Sequence, residues 1–313
     1  MTTSVFIDGA AGTTGLEIRE RLAGRPEFTL LTLSGELRKD PSARREAINE
    51  CDVAILCLPD DAAREAVALI GNPRTRVIDA STAHRVAEGW TYGFQELTGR
   101  ERIAAASRVS NPGCYPTGFL ALVAPLVRAG LLPADWPYSV NAVSGYSGGG
   151  NALIDRFAAD PAIAWRGYGL GLDHKHLAEM QAYAGLAHAP LFSPAVIDAH
   201  RGMVVDVPLP LGAMTGAGSV AQIHTALSAF YAGSAIVRVM PVNVAPEELL
   251  LRKDAAPWDG MDLHVFGSAD ASQVRLIARL DNLGKGASGA AVQSLNLMAG
   301  LAEETGLSLT LPG

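Results

Sequence analysis

The chain has 313 residues, 49% hydrophobic and 18% charged, the composition of a globular protein with one large domain or two of ordinary size. A net charge of −7 provides no basic surface for nucleic acid, and the longest apolar stretches fall far short of a membrane span. Three widely spaced cysteines make no disulfide framework, no cluster has zinc-ligand spacing and no secretory pattern precedes the first strand, so no metal and a reducing cytoplasm are expected.

Residues 4–8 read as a strand, followed by GAAGTTG at 9–15 and a helix ending at Gly24. That order offers backbone N–H groups and a helix N-terminus to a pyrophosphate. The spacing is GxxGxxG rather than GxGxxG, so a plain tight turn competes; the position directly after the first strand favours the nucleotide. Strands are predicted over 28–33, 52–58, 75–78 and 103–109. Helices are predicted over 41–49 and 62–70, the second capped by Asp60 or Asp61. This alternation predicts a doubly wound parallel sheet of Rossmann type, whose ligands bind beyond the carboxyl ends of the strands. The glycine turn, Cys57–Asp60, DASTAHR at 79–85 and SNPGC at 110–114 all fall there. Glu36 stands where an acid would hold an NAD ribose, Arg38 and Lys39 where cations would neutralise a 2′-phosphate. A solvated charged loop fits the same residues, and the three readings stay open.

A helix is predicted over 117–129 and a strand over 138–143, before the loop SGYSGGG at 144–150. Strand patterns follow at 192–200, 202–209, 236–240, 263–267 and 273–280, interrupted by one amphipathic helix at 220–232. This is an α+β texture, a mainly antiparallel sheet with helices on one face. A last helix is predicted over 287–304, after the glycine-rich turn GKGASG at 284–289.

Cys114 carries the sharpest chemical signal. Pro116 suits the first turn of a helix, so Cys114 lies at or just before a helix N-terminus, where the dipole favours thiolate. Asn111 and the N–H groups of the turn would stabilise an oxyanion. Cys51 and Cys57, in or beside a core strand, read as small buried residues. Of seven histidines, His188, His200, His224 and His264 stand singly, and His84 is open, in a loop near the expected cleft. In DHKHLAE at 173–179, His176 and Glu179 share a helical face, where a carboxylate orients an imidazole; a solvated helix start competes equally. The His-x-His spacing lacks a third ligand for a metal.

GAAGTTG at 9–15, SNPGCYPT at 110–117, SGYSGGG at 144–150, HKHLAE at 174–179 and NLGKGASGAAVQSLN at 282–296 occur in this order. Together they resemble the N-acetyl-gamma-glutamyl-phosphate reductase family, in its shorter second type, a relative of aspartate-semialdehyde dehydrogenase. The resemblance spans nearly the whole chain. It implies that NADPH reduces N-acetylglutamyl 5-phosphate to N-acetylglutamate 5-semialdehyde in arginine synthesis. Cys114 would form a thioester, His176 act as acid/base, Glu179 hold it and Tyr168 assist by hydrogen bonding. Gly9, Gly12, Thr13, Thr14 and Gly15 would take the pyrophosphate, with Ser34, Arg38 and Pro59 also on the cofactor. Ser147, Gly148 and Asn282 would border the nicotinamide, and Arg85, Asn111 and Ser144 would meet substrate. Two departures bear on cofactor details: Thr14 stands where many relatives have an aromatic, and His84 replaces an aromatic before Arg85.

The resemblance also implies a discontinuous NADP-binding domain, residues 1–113 and 286–313, around a catalytic and oligomerisation domain at 114–285. It implies a homodimer or homotetramer. Reductases of N-acetylaminoadipyl phosphate or aspartyl phosphate are the rivals of the same fold. A non-catalytic nucleotide-binding sensor is the rival of another class, and it predicts loss of the nucleophile or base, both of which are present.

Overall fold

The computed structural model describes residues 2–243 and 248–310. The chain forms two compact units, Met1–Gly113 with Ala287–Leu307, and Cys114–Gly286 with the segment from Ser308 on.

Among the described residues, the first unit is built on a six-stranded parallel sheet of order β2-β1-β3-β4-β6-β5. Its strands are β1 (Thr3–Asp8), β2 (Phe28–Leu31), β3 (Val53–Leu56), β4 (Arg76–Asp79), β5 (Thr91–Tyr92) and β6 (Arg108–Ser110). The helices are α1 (Thr13–Leu22), α2 (Pro41–Glu50), α3 (Asp60–Ala68), α4 (Gln95–Thr98) and α5 (Arg100–Ala105). Alternation along the strands separates two cores. Val5, Ile7, Val53, Ile55, Ile78 and Val109 pack with Ile18 and Leu22 of α1, while Phe6, Ala54, Leu56 and Val77 pack with Ala47, Ile48 and Ala66 of α2 and α3. Apolar residues on both faces are what a covered parallel sheet requires.

The strand order reverses between β1 and β3, which opens the crevice that such sheets use for ligands. Gly9 turns the chain there at φ +85°, and a Cβ on it would sit 2.2 Å from the Cys57 carbonyl oxygen. Gly12 has an ordinary negative φ, and its Cβ would meet nothing closer than 3.5 Å. Gly9→Ala is therefore expected to destabilise the first unit by roughly 2–4 kcal/mol, and Gly12→Ala by little. Melting curves of the two variants beside wild type check this; equal midpoints would remove the steric argument.

Several elements differ from the sequence reading. Helix α1 begins at Thr13, so Thr13, Thr14 and Gly15 belong to its first turn rather than to the loop. Pro59, not Asp60 or Asp61, is the N-cap of α3. The predicted strand 103–109 is instead the end of α5 and the short β6. Ala-rich sequence favours helix, and Arg76 fixes this end by donating to the carbonyls of Ala104 at 2.6 Å and Ala106 at 2.9 Å.

The second unit carries a mixed seven-stranded sheet of order β11-β12-β13-β10-β7-β9-β8. The strands are β7 (Ser139–Gly145), β8 (Trp165–Gly167), β9 (Leu191–Ile197), β10 (Met203–Leu209), β11 (Val237–Val239), β12 (Met261–Gly267) and β13 (Val274–Leu280). Pairing is mostly antiparallel; β7 with β9 and β11 with β12 are parallel. Helix α6 (Cys114–Arg128) lies against β10 and β13, with α7 (Asn151–Ala159), α8 (Leu177–Ala184) and α9 (Val220–Phe230) completing the unit. Pro125 lacks the N–H that would bond the Ala121 carbonyl inside α6; the Tyr231 hydroxyl donates to that carbonyl at 2.9 Å instead. Helix α7 and strand β8 follow the glycine-rich loop, where the sequence pattern predicts no element. The last helix, α10 (Gly289–Met298), is shorter than 287–304, preceded by a π-turn at Gly284–Ser288, and packs in the first unit through Ala291, Val292 and Leu295.

Candidate active site

In the first unit, the glycine turn is closed by the Gly12 N–H donating to the Gly9 carbonyl at 3.0 Å. Gly15 packs on Gly9 and Ala10, where a Cβ would approach the Gly9 oxygen to 2.5 Å. Gly12 caps α1 without a side-chain acceptor, so the turn is shaped for an anion approaching the backbone. Beside it runs a cleft of about 670 Å³, lined by Gly9, Leu31, Thr32, Arg19, Arg38, Lys39 and Arg44 among others. Arg38 lines it and Glu36 does not. Ser34 is the N-cap of the 3-10 turn Gly35–Lys39, whose Gly35 carbonyl accepts from Arg38 Nε at 3.3 Å. Asp8 lies in the same cleft, held by Arg44 through Nε at 3.1 Å and a terminal nitrogen at 2.8 Å. A dinucleotide carrying an extra phosphate fits this set of cations.

Arg85 and Asn111 meet in the same unit. Arg85 is buried, and its Nε donates to the Asn111 carbonyl at 3.0 Å. The Asn111 N–H donates to the Asp79 carbonyl at 2.7 Å, and its side-chain amide to the Ala287 carbonyl at 2.9 Å. His84, left open by the sequence, is fixed between buried Asp79, at 2.6 Å from Nδ1, and the Trp90 ring stacked at 4.2 Å.

The second unit holds the nucleophile candidate. Cys114 is the first residue of α6 and half-buried. The chain returns to it at Gly286, where a Cβ would lie 3.0 Å from the Cys114 Cβ. The next residue, Tyr115, organises the surroundings. Its hydroxyl donates to the Ala195 carbonyl at 3.0 Å, with Tyr168 and Ser144 nearby. Its ring packs 5.9 Å from His176, 6.3 Å from His174 and 5.1 Å from Phe192. Burial pushes the Tyr168 phenol up to about 12, so Tyr168 stays a protonated donor at neutral pH. His176 is the N-cap of α8 and nearly buried; Glu179 follows in the first turn, fully buried, near Tyr183.

Ser144, Ser147, Gly148 and Asn282 form a second group in this unit. The Asn282 amide donates to Ser147 Oγ at 2.9 Å and its carbonyl accepts from the Gly202 N–H at 3.0 Å. Ser147 Oγ donates in turn to the His200 carbonyl. A Cβ on Gly148 would sit 3.3 Å from Ser144 Oγ and 3.5 Å from the Asn282 amide. Burial pushes the Cys51 thiol up to about 11, and burial with the charges of Asp79 and Asp8 pushes Cys57 up to about 12. Among the described residues no group of three His, Cys, Asp or Glu is arranged for a metal ion, and no helix is long and apolar enough to cross a membrane.

Residues 4–106 match the NAD binding domain of semialdehyde dehydrogenase, and residues 114–282 its dimerisation domain. N-acetyl-gamma-glutamyl-phosphate reductase 2 of Nostoc sp. is 49% identical over 97% of this chain and 98% of its own length. The N-acetyl-gamma-glutamyl-phosphate reductase of Brucella suis is 52% identical over 96% of this chain and 100% of its own. This chain belongs to the N-acetyl-gamma-glutamyl-phosphate reductase family. Two solved structures share the fold at low identity. Aspartate semialdehyde dehydrogenase II from Vibrio cholerae has a TM-score of 0.68 at 18% identity, covering 95% of this chain and 98% of that one. Aspartate semialdehyde dehydrogenase with NADP from Candida albicans has a TM-score of 0.66 at 15% identity, with the same coverage.

Four residues of this reductase-family chain gain a structural task that their local sequence does not announce: Tyr115, His174, Gly286 and Arg44. Tyr115 stood inside the motif SNPGCYPT, yet its partner Ala195 is 80 residues away. Arg44 pairs with Asp8 across 36 residues, and no local pattern announces it.

Proposed function

We propose that this chain reduces N-acetylglutamyl 5-phosphate to N-acetylglutamate 5-semialdehyde and phosphate, with NADPH as reductant, as a step of arginine synthesis in the cytoplasm. The observation that carries the reading is Cys114 opening α6 in the same unit as Tyr115, Tyr168 and His176. Support comes from relatives of that name at about half identity over nearly the full chain.

In this reading the Cys114 thiolate attacks the acyl carbon and expels phosphate, leaving a thioester. Bound NADPH supplies the hydride for the reduction. His176 gives a proton to the oxygen of the resulting thiohemiacetal and takes it back as the carbon–sulfur bond breaks, returning Cys114 as thiolate. Glu179 supports His176, and Tyr168 donates a hydrogen bond to the acyl oxygen. Gly9, Gly12, Thr13, Thr14 and Gly15 hold the pyrophosphate, with Ser34, Arg38 and Pro59 on the adenosine half. Ser147, Gly148 and Asn282 serve the nicotinamide half. Arg85, Asn111 and Ser144 bind the substrate's anionic groups and carbonyl. In this reading residues 1–113 and 286–313 are the NADP-binding domain and 114–285 the catalytic domain, and the enzyme works as a homodimer or homotetramer; the compact units follow these bounds except that Gly286 and the segment from Ser308 on group with the second unit.

The test runs the reaction in reverse with N-acetylglutamate 5-semialdehyde, phosphate and NADP⁺, following the reduced nicotinamide. Phosphate-dependent reduction is expected. Activity only with a longer or shorter acyl phosphate would overturn the substrate, and silence with every acyl phosphate would overturn the reaction.

The cations of the first unit give a separate prediction. A charge-assisted hydrogen bond is worth about 1.5–3 kcal/mol, so Arg38→Ala is expected to raise the Kd for NADPH about 10- to 100-fold. Affinity for NADH, which lacks the 2′-phosphate, should hardly change. Titration of nicotinamide fluorescence with both cofactors separates the outcomes, and an equal loss for both would show that Arg38 does not read the phosphate.

A further inference from the structure

The loop before α8 contains a histidine that the proposed chemistry does not use. His174 Nδ1 accepts the backbone N–H of His176 at 3.1 Å. The His174 carbonyl accepts the Leu177 N–H at 2.9 Å, so two atoms of one residue pin the turn that leads into the helix. The His174 ring is itself fixed by its neighbours. It meets the Phe192 ring edge-on at 5.1 Å, Tyr168 at 5.5 Å and Tyr115 at 6.3 Å. The His176 ring lies 4.6 Å away at an interplanar angle of 69°.

We propose that His174 is a positioning residue for His176: as a neutral imidazole with its proton on Nε2, it holds the His176 backbone and so aims the acid–base ring. This rests on the reading of His176 as the acid/base.

First-turn N–H groups of a helix have no intrahelical acceptor, and Ser, Thr, Asp or Asn usually supply one. Here the N-cap is His176, with αR dihedrals of φ −81° and ψ −11° and no side-chain capping bond. Its imidazole is not spent on capping, because the acceptor comes from two residues upstream. An Nδ1 that accepts an N–H carries no proton, so the ring proton is on Nε2. Protonating Nδ1 would set two N–H groups against each other. Titratable and charged groups near the His174 ring include the Tyr115 and Tyr168 phenols and His176, with Cys114 and Arg166 beside those tyrosines and Asp173 and Lys175 exposed in its own loop. Both phenols are pushed upward by burial and bring no negative charge at neutral pH.

Asn is the informative replacement, since its Oδ1 can take the place of Nδ1 as acceptor while it cannot act as an acid or base. Small misplacements of a reacting group cost up to about 100-fold, so His174→Ala is expected to lose about 10- to 100-fold in kcat with KM within about threefold, and His174→Asn to stay within about threefold of wild type. Equal losses in Ala and Asn, or an Ala variant as active as wild type, would overturn the proposal. A second measurement needs no variant to be active. Long-range ¹H–¹⁵N spectra of histidine-labelled wild-type protein at neutral pH, assigned by the resonance missing in His174→Asn, should show His174 protonated on Nε2 alone. A proton on Nδ1 would overturn the proposal by itself. If wild type turns over no acyl phosphate, the functional reading fails while the spectrum still decides the hydrogen bond.

Discussion

Cys114→Ser is expected to lower turnover by about 10⁴-fold or more, because a serine hydroxyl at neutral pH offers neither the ionised nucleophile nor the leaving group that a thioester supplies. Sulfur at this position has two structural supports. It opens a 15-residue helix, whose N-terminal partial charge favours an anion. It is also closely faced by Gly286, where any side chain would press on the Cys114 Cβ. Serine is nearly the same size, so the melting temperature and NADPH affinity should be unchanged. The same residue should account for the thiol chemistry of the folded protein. With Cys51 pushed up to about 11 and Cys57 to about 12, each is thiolate for less than about one part in a thousand at neutral pH. Brief iodoacetamide treatment of native protein should therefore place one label, on Cys114, and activity should fall in step with labelling. Labelling of Cys51 or Cys57 at a matching rate, or a serine variant that keeps its turnover, would show that the nucleophile lies elsewhere.

How far this was legible in the sequence depends on the distance over which each signal acts. The strand–glycine–helix order at 4–22 and the Cys-x-Pro helix start are local, and both appear where the residues announce them. The stretch 103–109 misled because Ile103 and Val109 suggest a strand, whereas the outcome is set by Arg76, a residue of another strand that gathers carbonyls from the end of α5. The cofactor question stayed open in the sequence because Glu36, Arg38 and Lys39 are adjacent along the chain; only the turn Gly35–Lys39 decides which of them lines the cleft. In the sequence Tyr115 is only one letter of a motif; its task depends on the Ala195 carbonyl of β9 and on Tyr168 just after β8, both distant along the chain. His174 and His176 are near neighbours in sequence, yet their roles divide on one hydrogen bond to a backbone N–H, which side-chain spacing cannot reveal.

That division makes His176 the second decisive position. His176→Gln is expected to lower kcat by about 10²- to 10⁴-fold, the usual contribution of a general acid–base group, with KM changed far less. The proposed role falls to His176 by its place in the HKHLAE motif, and one hydrogen bond of its neighbour is consistent with that choice. His174 already spends Nδ1 on a backbone N–H, and its ring is enclosed by Phe192, Tyr168 and Tyr115. His176 sits at the start of α8, its ring 5.9 Å from that of Tyr115, the residue that follows Cys114. The Tyr168 phenol, held protonated by burial, is a donor without a titration of its own near neutrality, so it leaves the pH profile to the histidine and the thiol. The wild-type profile of kcat/KM should accordingly show a histidine limb that disappears in His176→Gln and survives, at nearly the same midpoint, in His174→Asn. If the limb vanished instead with His174 and persisted without His176, the two roles would have to be exchanged: the first histidine would carry the proton and the second would merely begin the helix.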